Sequence, residues 1–96
     1  MPTWEALAPF WADLGNLTPR QRAAFQRGVA KFVADLHAGQ FRAGLRVKKM
    51  QGHESIWEMT WAPDGRATFE YGKSVQDGEV HIVWRRVGTH DVFDRP

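Results

Sequence analysis

Histidine is the side chain that exchanges protons near neutrality, and arginine is the one that grips a phosphodiester through two parallel hydrogen bonds. Both types meet in Trp84-Arg85-Arg86-Val87-Gly88-Thr89-His90-Asp91-Val92-Phe93, where His90 follows a Gly-Thr turn just after an arginine-rich strand end. Such a set suits phosphoryl chemistry without a metal. A cation stabilises the extra charge of a pentacoordinate transition state, one group removes a ribose 2′-OH proton, and another protonates the leaving 5′ oxygen. A lone histidine is more often a surface or core residue, so the case for His90 comes from its arginine neighbours.

Further basic residues fall at solvent-phase positions of the expected strands: Arg46 and Lys48, with Lys49 beside them, then Arg66, then Arg85 and Arg86. Glu58 occupies the matching phase of the strand between. An antiparallel sheet sets such residues side by side, giving a basic face with a carboxylate inside it. The plainer account is that amphipathic sheets need charged outer positions, with one of the two last arginines pairing to Glu58 or Glu70. Strict alternation from Ile82 and Trp84 sends Arg86 toward the core and Arg85 outward. A bulge or twist at the strand end would turn Arg86 outward instead.

Other chemistries lack support. There are no cysteines, which removes disulfides, thiol nucleophiles and Cys-based zinc sites and fits a reducing compartment. His37, His53, His81 and His90 show no metal-ligand spacing, and no P-loop, GxGxxG or GxSxG occurs. No metal or cofactor is expected. No apolar run approaches the roughly 18 residues of a membrane span, so no membrane partner is expected and a cytoplasmic address is the default.

The elements that must position these residues read as follows. The 96 residues, 43% hydrophobic and 25% charged with a net charge of +2, suit one globular domain over residues 1–96. Trp4 to Leu7 reads as an optional short strand, and Pro9 opens a short helix through Leu14. Thr18, Pro19 and Gln21 form a capping-box signature for a helix from Pro19 to His37, stopped by Gly39. Phe25, Val29, Phe32, Val33 and Leu36 make its apolar stripe.

From Leu45 the period changes to two, giving strands at Leu45–Met50, around Trp57–Trp61, at Arg66–Tyr71 and from Val80 to Val87. Ala62-Pro63-Asp64-Gly65 is the reversal between the middle pair. Trp57, Trp61, Phe69 and Trp84 fall in core phase; Phe93 suits either packing or stacking. The expected fold is α+β: two N-terminal helices on one face of an antiparallel sheet of four strands, or five with the optional first.

This order of features resembles the RelE/ParE superfamily of small toxins from type II toxin-antitoxin systems. The likeness runs through the helical pair ending in Ala38-Gly39, Leu45-Arg46-Val47-Lys48-Lys49-Met50, Gly52 with Trp57-Glu58-Met59, and Asp64-Gly65-Arg66-Ala67-Thr68-Phe69-Glu70-Tyr71. It is most specific in the closing Arg86-Val87-Gly88-Thr89-His90-Asp91-Val92-Phe93, which is similar to the ending of YafQ-like mRNA interferases. The resemblance implies a metal-independent endoribonuclease acting on mRNA in the ribosomal A site, restrained by a cognate antitoxin.

It also implies roles by position. Lys48 falls near a catalytic basic or histidine position, Arg66 and Arg86 match arginines of the fourth and last strands, and His90 matches the terminal acid/base. Arg46, Lys49, Arg85 and Phe93 would contact RNA. Phe93 stands where RelE often has tyrosine, so no acid/base role falls to it. Trp61 stands roughly where YafQ-like members place a second histidine. ParE-type gyrase poisons share the scaffold, and a non-catalytic RNA-binding member is a further alternative; the set of His90, Arg86, Lys48 and Arg66 favours the nuclease.

Overall fold

The helix-start signal at Thr18 is realised in full. In the computed structural model, which describes residues 2–96, the Gln21 N–H donates to the Thr18 hydroxyl at 3.1 Å, and the Thr18 N–H donates to the Gln21 side chain at 2.8 Å. This reciprocal cap, with Pro19 presetting the backbone, opens helix α2 at Pro19–Ala38. Gly39 closes it in the left-handed region, at φ 87°. Helix α1, Ala8–Asn16, precedes it and runs two residues past the expected Leu14.

Five strands follow the chain as β1 (Thr3–Ala6), β2 (Lys48–Lys49), β3 (Trp57–Ala62), β4 (Gly65–Tyr71) and β5 (His81–Gly88). They form one sheet in the order β1-β5-β4-β3-β2. The optional first strand exists, but it lies parallel to β5, so the sheet is mixed rather than wholly antiparallel. Parallel neighbours need a long crossover, and both helices and three strands separate β1 from β5 in the chain. The His81 ring, buried in β5, pins the edge: its Nδ1 lies 2.7 Å from Thr3 Oγ1 and its Nε2 2.8 Å from Glu5 Oε1.

The expected strand from Leu45 is also corrected. Ala43–Leu45 is a 3-10 turn that carries Leu45 into the core, and Arg46 follows in the left-handed region at φ 48°. Extended chain therefore begins only at Lys48.

The helices cover one face of the sheet. Phe25 and Phe32 of α2 pack with Met59, Ala67, Phe69, Trp84 and Val87, and Phe32 meets Phe69 edge-on at 5.0 Å. Each buried Phe, Met or Val among them contributes about 1.5–3 kcal/mol. Gly28 lets α2 close on β3, because a Cβ there would sit 2.8 Å from Trp61 Cβ. Among the described residues no helix is long and apolar enough to cross a membrane.

The opposite face carries the polar rows. Register places Lys48, Glu58, Thr68 and Arg86 in one line across β2, β3, β4 and β5, with Thr60, Arg66 and Gly88 in the next. Thr68 faces Arg86 while Phe69 faces Trp84, so Arg85 is the extra residue of a bulge. That bulge puts Arg86 in the polar row while Ile82, Trp84 and Val87 stay in the core cluster. Past β5 a 3-10 helix, His90–Asp94, folds back. The main-chain oxygen of Pro96 then accepts from Thr68 Oγ1 at 3.2 Å and from Arg85 Nε at 3.0 Å, covering the middle of this face.

Candidate active site

The uncovered end of the polar face forms a cleft of about 660 Å³. β2 supplies Lys48 and Lys49, the segment before it Arg46, and β4 supplies Arg66; His90 and Phe93 close the cleft from the C-terminal 3-10 helix. Six of the eight residues singled out in the sequence thus converge. The one lining carboxylate, Glu58, lies 3.7 Å from Lys48 Nζ, leaving the lining positive.

His90 is held on two sides. Its Nδ1 lies 3.1 Å from Asp64 Oδ1, and its ring makes a T-shaped contact with Phe93, with centroids 5.4 Å apart and planes at 79°. A carboxylate can only accept, so this contact places the proton on Nδ1 and leaves Nε2 of a neutral ring with its lone pair. That is the arrangement of a general base oriented by a third group. Both side chains are well exposed, 62% for His90 and 69% for Asp64.

Arg66 is 9% exposed, and its Nη1 donates to the turn carbonyls of Ala62, Pro63 and Gly65 at 3.2, 3.2 and 2.9 Å. The guanidinium locks the β3–β4 turn that carries Asp64, while the residue still lines the cleft. One residue thereby ties the shape of the turn to the positive charge of the site.

Arg85 and Arg86 are not brought into the cleft. Arg85 pairs with Glu70 at 3.0 Å, the cross-sheet alternative read from the sequence. Arg86 has the bulge and the row expected of a site arginine, but its Nε and Nη2 donate to the two oxygens of Asp13 at 2.5 and 2.9 Å. Its Nη1 donates to Arg95 O at 3.0 Å. The Asp13 carboxylate holds the guanidinium above its ordinary range and also accepts the Val87 N–H at 3.1 Å. Arg86 therefore fastens α1 and the C-terminal tail to the strand end that leads to His90.

Two residues were missed. Asp64 has a sufficient local explanation as a turn residue, so nothing in the sequence set it beside His90. His53 lines the same cleft from the loop after β2; a loop histidine following Lys48-Lys49 was the available signal.

No family model matches the sequence, and no curated protein does. Solved structures do match its fold. A chain of the E. coli DinJ-YafQ toxin-antitoxin complex is 15% identical, with 95% of this chain and 94% of that one covered at a TM-score of 0.65. The RelB-RelE antitoxin-toxin complex from Methanococcus jannaschii gives 17% identity, 95% and 98% coverage and 0.62. The YoeB/ParE toxin from Agrobacterium tumefaciens gives 11%, 92% and 98%, and 0.66. The chain has the RelE-like fold.

Proposed function

We propose that this RelE-like chain is the toxin of a type II toxin-antitoxin system and that it cleaves mRNA as a metal-independent, ribosome-dependent endoribonuclease. The observation that carries the reading is the Asp64–His90 pair on the rim of a cleft lined by Arg46, Lys48, Lys49 and Arg66. The fold it shares with toxins solved in complex with antitoxins supports a cognate antitoxin as partner.

In this reading the cationic side chains hold the scissile phosphodiester and stabilise the charge that grows on its non-bridging oxygens. His90 Nε2 takes the 2′-OH proton. The 2′ oxygen then attacks phosphorus and the bond from phosphorus to the 5′ oxygen breaks. A second donor, for which His53 in the same cleft lining is the candidate, gives a proton to the departing 5′ oxygen. The products are a 2′,3′-cyclic phosphate and a 5′-hydroxyl. Arg86 serves by anchoring the strand end that carries His90.

The exposure of this pair supports dependence on the ribosome. A pair as open to water as His90 and Asp64 is weakly held alone, and a message fixed in the ribosomal A site supplies the positioning that the free cleft lacks. A gyrase-binding toxin on the same fold would have no use for a carboxylate-oriented histidine in a basic cleft. The test is to incubate purified protein with programmed ribosomes in EDTA and map the message ends. Cuts ending in 2′,3′-cyclic phosphate are expected; intact message, or cuts abolished by EDTA, would overturn the reading.

A further inference from the structure

The basic cleft does not end at Arg66. Arg46, Thr60 and Arg66 also line a second groove, of about 410 Å³, between α2 and the β3–β4 turn. Every charged side chain lining it is cationic: Arg27 and Lys31 from α2, then Arg42, Arg46 and Arg66. Trp61 forms part of the wall, and its buried indole N–H has no acceptor among the described residues.

Arg27 and Lys31 stand four residues apart on one helix, where like charges repel. Both are exposed, and neither pairs with a carboxylate among the described residues. Arg42 differs, since Asp35 takes its Nε and Nη2 at 2.8 Å each. Arg46, the residue common to both sites with its side chain exposed, holds a left-handed backbone at φ 48° and ψ 43°. That conformation is unfavourable for a side chain with a Cβ. Backbone strain at the junction of two basic sites points to a use for the arginine itself.

We infer that this groove is a second phosphate-backbone site, which holds nucleotides of single-stranded RNA beyond the scissile phosphate, with Arg46 bridging it to the cleft. The inference rests on the nuclease reading of that cleft. Three features favour RNA: a lining of donors without a carboxylate, arginine forks that match phosphate oxygens, and continuity with the proposed site of cutting. A concave groove walled by one helix and one turn suits a single strand, whereas a duplex presents its phosphates on a convex surface.

The experiment measures binding apart from cleavage. Fluorescence anisotropy is recorded with uncleavable 2′-O-methyl RNAs of four and twelve nucleotides across a salt series, for the wild type, R27E/K31E and Arg46→Gly. The wild type should bind the longer strand more tightly. R27E/K31E should lose at least tenfold on the longer strand alone, and Arg46→Gly, which also takes a cation from the cleft, should weaken both strands and the longer one more, with the salt slope falling by about 0.7 for each phosphate contact removed. Arg46→Gly should melt no lower than wild type, because glycine relieves the left-handed backbone.

Equal affinity of wild type and variants for the longer strand overturns the proposal, as does absence of any gain with length. Tighter binding of a twelve-base-pair duplex would assign the groove to structured RNA, and variant-sensitive binding of an acidic peptide without RNA binding would assign it to a protein; either result overturns it too. Groove-dependent RNA binding by a protein that cuts no message would instead remove the nuclease reading alone.

Discussion

His90 and Asp64 are 26 residues apart in the chain, and their side chains meet at 3.1 Å. The carboxylate fixes which ring nitrogen carries the proton and so which one is free to accept another. Asp64→Asn puts this to the test, because an amide donates as well as accepts and tolerates the wrong tautomer. Single-turnover cleavage on programmed ribosomes should slow about 100-fold. Message binding should change little, since Asp64 is not among the cationic residues proposed to hold it.

Asp13 accepts from Arg86 through both carboxylate oxygens and from the Val87 N–H through one. Asp13→Ala leaves a partly buried guanidinium and a strand-edge donor without their partner. Urea denaturation should show a loss of about 1–3 kcal/mol. Arg86→Ala should lose stability in the same assay, with only a secondary effect on the chemical step.

Asp35 accepts the Arg42 backbone N–H at 2.9 Å and two guanidinium nitrogens at 2.8 Å. These bonds, chiefly those from the Arg42 side chain, lower its carboxyl from the ordinary 3.8 to about 2. A group whose folded pKa is depressed adds stability above its unfolded value and loses it as pH falls through the folded one. Thermal melts of the wild type should therefore show a component falling between pH 3.8 and 2 that Asp35→Asn lacks.

Local features were legible in the sequence. The Thr18–Gln21 cap, the stripe through Phe25 and Phe32, and the Pro63-Asp64-Gly65 turn each rest on residues a few positions apart, and short-range sterics decide them. The conflict between parity and position at Arg85 and Arg86 was legible too, and the bulge that resolves it follows from keeping Ile82, Trp84 and Val87 in the core while turning Arg86 outward.

What escaped were the long-range partners. Asp13 and Arg86 are 73 residues apart, and an arginine whose charge is matched by a distant helix looks the same in a sequence as one free for substrate. The left-handed Arg46 was hidden because Leu45, Arg46, Val47 and Lys48 alternate like a strand, whereas Leu45 is buried from the 3-10 turn Ala43–Leu45. The parallel pairing of β1 depends on where β5 ends up, which no local pattern of Thr3 to Ala6 encodes.

In the proposed reaction His90 moves the proton that cleaves RNA. The most direct measurement is single-turnover cleavage of an A-site message in EDTA by wild type and His90→Ala, with circular dichroism confirming equal folding. His90→Ala should lose about 10²–10⁴-fold in the rate of the chemical step, the range for a positioned acid or base. Cleavage by His90→Ala at the wild-type rate would rule out that role for His90.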